Sequence, residues 1–339
     1  MAQMDIELVS AFCFQNQSLC NSIAFCFFSK KFSRRRYAYT MFRTACARKP
    51  DILVRWDIMF QLEVTPMPEQ QQKKTILVVV AHADDMEFMA AGTIARFIDE
   101  LGYDVYEYIL TDNSKGSYRL SSEELVRVSA EEARAAGDIL GLKEVRLEGY
   151  VDGDLADIPV NVLRGKIMSM IREVRADIVM SWDPFAPYEE HPDHRRVATA
   201  TLEAAHFGGS PLFYPDHEYK PYQTSELYWF AKVPANAALF VDISATIDKK
   251  IKALLAHDCQ MALTVDMLAR EAEILGIDVP MLKNPDADTR AQLIEMGIRN
   301  HFGAVGEKAG FAFAEQFRYE RIGMIEEILG LPARGSDFD

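Results

Sequence analysis

Two short segments concentrate side chains able to bind a metal ion and move protons. They are Ala81-His82-Ala83-Asp84-Asp85-Met86-Glu87 and His191-Pro192-Asp193-His194. His82 and Asp85 stand three residues apart, as do His191 and His194. On a tight turn, that spacing lets both side chains converge on one point. Two neutral imidazoles and one carboxylate, with a position left open for water, make a hydrolytic zinc site. His82, Asp85 and His194 supply that set. Asp84, beside Asp85, should project differently and is the candidate general base toward the water. His191 is a candidate for a second proton transfer or for oxyanion stabilisation, and Asp193 for orienting an imidazole. Asp84 and Asp85 also repel one another, a cost that a cation relieves. Either motif alone is weak, because Asp85 could simply cap the helix that follows and a lone histidine is more often structural. Spacing by itself reaches a metal site of hydrolytic type and no further.

The elements that must position these residues alternate. Thr75 to Val80 is a continuous apolar run, as expected of a strand buried on both faces. Further strands are expected at Asp104 to Leu110, Val145 to Leu147 and Asp177 to Trp182. Helices are expected at Met86 to Leu101, Ser121 to Leu140, Val160 to Val174 and His194 to His206. Ser121 or Ser122 caps the second of these, and Gly141 stops it. The second half is more mixed, with strands at Glu226 to Ala231 and Ala238 to Val241. Its helices are expected at Ile247 to Ala262, Val265 to Gly276 and Thr289 to Asn300. The fold class is therefore α/β: a Rossmann-like, mostly parallel sheet with helices on both faces, plus a mixed C-terminal part. Ligands of such sheets bind beyond the carboxyl ends of the strands, and both motifs sit at such exits. The exits after Leu110 and Leu147 also carry polar residues.

The chain has 339 residues and a net charge of -14. An acidic surface should repel nucleic acid and anionic membranes, and no apolar run approaches the roughly 20 residues of a membrane span. Residues 1–60 depart from this balance, with 9 basic and 4 acidic side chains. They also hold Cys13, Cys20, Cys26 and Cys46, whereas the remainder has only Cys259. One cysteine cannot form an internal disulfide, which is compatible with a cytoplasmic protein. Residues 1–66 read as a disordered arm or an upstream extension before a later start at Met59 or Met67. Weak targeting is a further reading of the basic stretch Tyr37 to Lys49. Residues 67–330 read as the α/β domain and 331–339 as a tail.

AHADDMEFMAAGT and HPDHRRVATA resemble the paired motifs of the PIG-L/LmbE-like family of metal-dependent N-acetyl-sugar deacetylases. The resemblance covers nearly all of residues 75–320, with support from LTDNSKGS, EEARAAGDILGL, SWDPF, KKIKALLAHDCQ and GFAFAEQFR. It implies Zn²⁺, or Fe²⁺, on His82, Asp85 and His194, with Asp84 as base. His191 then acts as electrostatic stabiliser or acid, and Asp193 tunes it. The implied reaction removes acetate from an N-acetylglucosamine-type sugar linked to inositol, malate, another sugar or a lipid. Without a membrane anchor in the body, a soluble small-molecule substrate is favoured. The resemblance also implies homo-oligomers such as trimers or hexamers. Asn113, Lys115, Asp183, Tyr188, His217 and His257 are candidate substrate contacts. Trp182 is read as core packing rather than a sugar platform. Three alternatives compete: a thiol–sugar conjugate amidase, a non-catalytic carbohydrate-binding relative and a dinucleotide-dependent oxidoreductase. The last would need Gly-x-Gly-x-x-Gly after the first strand, where this chain has an acidic turn.

Overall fold

The computed structural model describes residues 24–33, 36–45, 73–329 and 335–338. It divides into two units, residues 1–72 and 73–339. In the first, β1 (Ala24–Ser33) pairs antiparallel with β2 (Arg36–Ala45). The rest of the expected arm, 1–66, lies outside the described residues.

The second unit is built on a seven-stranded sheet. Its strands are β3 (Thr75–Val80), β4 (Asp104–Thr111), β5 (Glu144–Tyr150), β6 (Ile178–Trp182), β7 (Glu226–Phe230), β8 (Leu239–Asp242) and β9 (Ala314–Arg321), in the spatial order β5-β4-β3-β6-β7-β9-β8. The pairs from β5 to β7 are parallel, and β9 runs antiparallel to β7 and β8. The chain winds outward from β3 to β5, then returns to place β6 on the other side of β3. That reversal opens a crevice beyond the carboxyl ends of β3 and β6, where the two histidine motifs leave the sheet.

Successive side chains of β3 point to opposite faces, and each face has its own core. Ile76, Val78 and Val80 pack with α1 (Asp85–Met89), α2 (Ala91–Asp99) and α3 (Ser122–Leu140), and with α6 (Ile247–Leu254), α7 (Asp258–Leu275) and α8 (Ala287–Glu307). Leu77, Val79 and Ala81 pack with α4 (Val160–Val174) and α5 (Pro192–Phe207). A short helix, α9 (Ile325–Leu329), follows β9. Helix α3 starts at a capping box between Ser121 and Glu124 and stops at Gly141, whose φ of 90° suits glycine.

Three expectations need correction. The helix expected over Met86 to Leu101 is two helices broken at Ala90. The Glu315 carboxylate accepts the N–H groups of Gly92 and Thr93 (2.9 and 2.7 Å), and buried Lys250 donates to Glu315 and to the Phe88 carbonyl (2.7 and 2.8 Å). Groups that would have continued the helical ladder are thus taken by a clasp from α6 and β9. The helix expected over Ile247 to Ala262 likewise breaks at 255–257, and α7 runs on through the separate helix expected at Val265 to Gly276. There His257 leaves helical geometry and its imidazole is wholly buried, while Glu132 accepts the Cys259 N–H. Strand β9 was not expected at all. In the tail, Asp337 accepts from Lys74 and Tyr103, and Phe338 packs on Phe97.

Candidate metal centre

The β3 exit turns at His82 and enters α1 at Asp85. Asp84 occupies the N-cap position, yet its side chain makes no capping bond. Asp85 caps nothing either. Its Oδ2 turns back to accept Ala81 N–H (3.0 Å), His82 N–H (2.9 Å) and Trp182 Nε1–H (2.9 Å). One oxygen is thereby locked, and the other, Oδ1, faces His194 Nε2 at 3.3 Å and His82 Nδ1 at 3.7 Å. Those two nitrogens lie 3.2 Å apart. Tetrahedral coordination at metal–ligand distances of about 2.0–2.1 Å separates ligand atoms by about 3.3–3.4 Å. The three edges of this triangle bracket that value, so the donor set fits a small divalent ion.

Each imidazole is held by a carboxylate on its far nitrogen. His82 Nε2 meets Asp152 Oδ1 at 3.1 Å and Asp193 Oδ2 at 3.6 Å. His194 Nδ1 meets Glu189 Oε1 at 3.0 Å, and its ring stacks on Trp182 with centroids 3.8 Å apart. With the protons on those far nitrogens, His82 Nδ1 and His194 Nε2 present lone pairs toward Asp85 Oδ1. This is the carboxylate–histidine arrangement that raises ligand basicity. Broader groupings of His82 with His191 and His194, and of His82 with Asp152 and Asp193, also fall within 4.8 Å.

Without an ion the cluster is electrostatically tense. Burial raises the Asp84 carboxyl, and the Asp85 charge adds to that, so it sits at about 6. Burial lowers the His194 imidazole, but Asp85 and Glu189 outweigh it and hold it at about 9. For His191, burial and the two neighbouring imidazoles all act to lower it. His191 Nδ1 accepts the Asp193 N–H at 3.3 Å. The neutral ring therefore carries its proton on Nε2.

The cleft over this cluster measures ≈ 570 Å³ and includes His82, Asp84, Asp85, His191 and His194 in its lining. Asn113 and Lys115 line it as well. Asn113 accepts the Ala83 N–H at 3.1 Å, and its amide nitrogen is buried without a partner. The Lys115 ammonium pairs with Asp154 at 2.8 Å.

Five further residues singled out in the sequence are not part of the cleft lining. Asp193 is fully buried and accepts Gly153 N–H (2.6 Å) and Leu155 N–H (3.1 Å); its carboxylate approaches His82 Nε2 at 3.6 Å, and its charge acts to raise the neighbouring His191 imidazole. Asp183 is spent on Phe185 N–H, Ala235 N–H and Arg318, which fixes the β6 exit loop. Tyr188 is 83% exposed on that loop and is not among the cleft-lining residues. His217 is held by Arg172 at 3.1 Å and stacked on Tyr214, again outside the cleft lining. His257 is 3.5 Å from Glu87, with both side chains buried and neither in the cleft lining. Asp152 and Glu189 were missed. The polar β5 exit and the run Pro184 to Glu190 were visible signals, but no spacing rule selects one carboxylate from either.

A family model described as PIG-L, GlcNAc-PI de-N-acetylase, matches residues 77–205. The chain is 32% identical over 192 residues to diacetylchitobiose deacetylase of Thermococcus kodakarensis, covering 55% of this chain and 70% of that protein. It is 28% identical over 246 residues to 1D-myo-inositol 2-acetamido-2-deoxy-alpha-D-glucopyranoside deacetylase of Rhodococcus jostii, covering 56% and 82%. Among solved structures, N,N'-diacetylchitobiose deacetylase of Pyrococcus horikoshii superposes with a TM-score of 0.59 at 26% identity, over 73% of this chain and 84% of that one.

Proposed function

The chain belongs to the PIG-L family of de-N-acetylases, and from that premise we propose that it hydrolyses the acetamide of an N-acetylglucosamine-containing substrate, releasing acetate and a free amine. The observation that carries this reading is the triangle of His82 Nδ1, Asp85 Oδ1 and His194 Nε2, each corner held by its own partner. Zn²⁺ suits the two imidazoles and one carboxylate, and Fe²⁺ is the runner-up. When bound there, the ion supplies Lewis acidity to the amide carbonyl and to the attacking water.

The chain's own groups do the rest. Asp84 lines the cleft beside Asp85 with its carboxylate free of capping bonds, and it takes the proton from the attacking water. His191 presents Nε2–H from the opposite motif, suited to the charge that develops on the amide oxygen. Asp152, Asp193 and Glu189 hold the two ligand imidazoles in one tautomer. Asn113 offers its unpartnered amide as a donor to the substrate. Among the described residues no helix is long and apolar enough to cross a membrane. Cys259 is free and buried, in keeping with a reducing compartment such as the cytoplasm.

The test is acetate and amine release from N-acetylglucosamine conjugates by zinc-loaded, chelator-treated and Asp84→Asn protein. Turnover should vanish with chelator. In the variant it should fall by about 10²–10⁴-fold with metal content unchanged. A variant that keeps both metal and turnover removes Asp84 as base. A loaded wild type that binds the sugars without turnover makes the chain a binding protein.

A further inference from the structure

Lys250 and Glu315 lie in two stretches singled out in the sequence, KKIKALLAHDCQ and GFAFAEQFR, and neither lines the cleft. Both side chains are wholly buried, with Nζ 2.7 Å from Oε1, and the ammonium sits 4.0 Å above the Phe302 ring. Taking two charges out of water is costly, and an apolar pair of similar volume is often at least as stable. What such a pair contributes lies in the groups it orients.

Its hydrogen bonds fall on the break between α1 and α2. Glu315 accepts the Gly92 and Thr93 N–H groups at 2.9 and 2.7 Å, and Thr246 donates to the Gly92 carbonyl at 2.8 Å. A Cβ on Gly92 would lie 2.7 Å from Ile243 Cγ2, so the start of α2 has one seat. On the other side of the break, Lys250 donates to the Phe88 carbonyl at 2.8 Å. The Phe88 N–H donates in turn to the Asp84 carbonyl at 3.0 Å. A connected line therefore runs from the Glu315 carboxylate on β9, through Lys250 on α6 and the Phe88 backbone, to Asp84.

Residues four apart share one face of a helix, and Asp84 and Phe88 both line the cleft. Helix α1 has only five residues, too few to hold a direction by itself. Asp84 makes no capping bond, so its carboxylate follows that turn. Asp85 is anchored differently, by the N–H groups of Ala81, His82 and Trp182. Two adjacent carboxylates thus answer to separate supports.

We propose that the Lys250–Glu315 pair is the positioning device for Asp84: it sets the tilt of α1, and so the aim of the proton-accepting carboxylate, independently of the metal ligands. The inference rests on the reading of Asp84 as base given above.

The experiment replaces the whole pair, Lys250→Met with Glu315→Gln, so that no charge is stranded. Thr246→Val, which loosens the α2 side of the same break, is the control. Zinc affinity, melting temperature and kcat per zinc-loaded chain for acetate release from N,N'-diacetylchitobiose are measured on wild type and both variants. In the double variant kcat should fall by about 10–100-fold, because a misplacement of about 1 Å is enough. Its zinc affinity should stay within about threefold, since the partners of both ligand imidazoles are untouched. In Thr246→Val both quantities should stay within about threefold, whatever its melting temperature. Should the double variant not fold, Glu315→Gln alone is held to the same split. Unchanged kcat, zinc affinity lost in step with kcat, or an equal kcat loss in the control overturns the proposal. If the wild type releases no acetate, the deacetylase reading has failed and the pair is judged by amide hydrogen exchange. Exchange at Phe88 at least about tenfold faster in the variant, with His82 unchanged, supports the positioning role. An equal change at both amides, or none, overturns it.

Discussion

Replacing Asp152 by asparagine tests the proposed metal centre without touching a proposed ligand. Asp152 uses both oxygens: Oδ1 faces His82 Nε2 at 3.1 Å, and Oδ2 accepts the Lys115 N–H at 3.0 Å. Asparagine has one acceptor and one donor at those positions. If its oxygen stays on His82, its NH₂ opposes the Lys115 N–H, donor against donor. If it flips, the NH₂ faces His82 Nε2 and favours the tautomer with a proton on Nδ1, the nitrogen aimed at the metal position. Either way the imidazole loses the anionic partner that raises its basicity. Loss of such a partner typically costs 10–100-fold in metal affinity, about 1.4–2.7 kcal/mol. Asp193 Oδ2, at 3.6 Å from the same nitrogen, remains to take part of the proton's charge, which places Asp152→Asn near the tenfold end. The assay is competition for Zn²⁺ against a chromophoric chelator, with circular dichroism melts to confirm the fold. A Zn²⁺ affinity unchanged within about twofold would refute the tautomer argument.

Three further outcomes follow from the same geometry. His217→Ala should leave kcat/KM within about twofold and cost about 1 kcal/mol or less in denaturant melts, because its partners are Arg172 and Tyr214 rather than the cleft. Lys250→Met should cost about 3–5 kcal/mol by strand-marked loss in the same melts, since it leaves the Glu315 carboxylate fully buried without its counter-ion. In chelator-treated protein the His194 imidazole sits at about 9, above its unfolded value of about 6.5. Its stabilisation is therefore complete below about 6.5 and lost as pH rises through about 9. The melting temperature of the metal-free protein should fall across that window, and Zn²⁺ affinity should rise because binding displaces the same proton.

The strands that carry the site were legible because burial on both faces demands unbroken apolar runs. Thr75–Val80 appears with the expected bounds, and so does helix Val160–Val174. Helix breaks were not legible where the cause lies far away. Nothing near Ala90 announces that a carboxylate at Glu315 will take the N–H groups of the next turn. Nor does the local sequence around His257 contain a glycine or proline to end a helix. The same limit governs the site. His82, Asp85, His191 and His194 could be paired by spacing because each pair lies within one turn. His217 and Tyr188 were drawn in by nearness along the chain, yet a loop neighbour need not face the cleft.

What the sequence determined by itself is the candidate donor set: two histidines, a carboxylate and an adjacent aspartate at the exits of two buried strands. Those assignments are local, since side-chain type and a three-residue spacing are enough to state them. What only the tertiary structure decided is which nitrogen of each histidine is free. That choice is made by Asp152, Asp193 and Glu189, which reach the imidazoles from the β5 exit and from the turns around α5. A tautomer is set by the partner of the opposite nitrogen: for His82 that partner is Asp152, brought there by the order of strands in the sheet, whereas for His194 it is Glu189, five residues back, turned onto the ring by the path of the loop before α5.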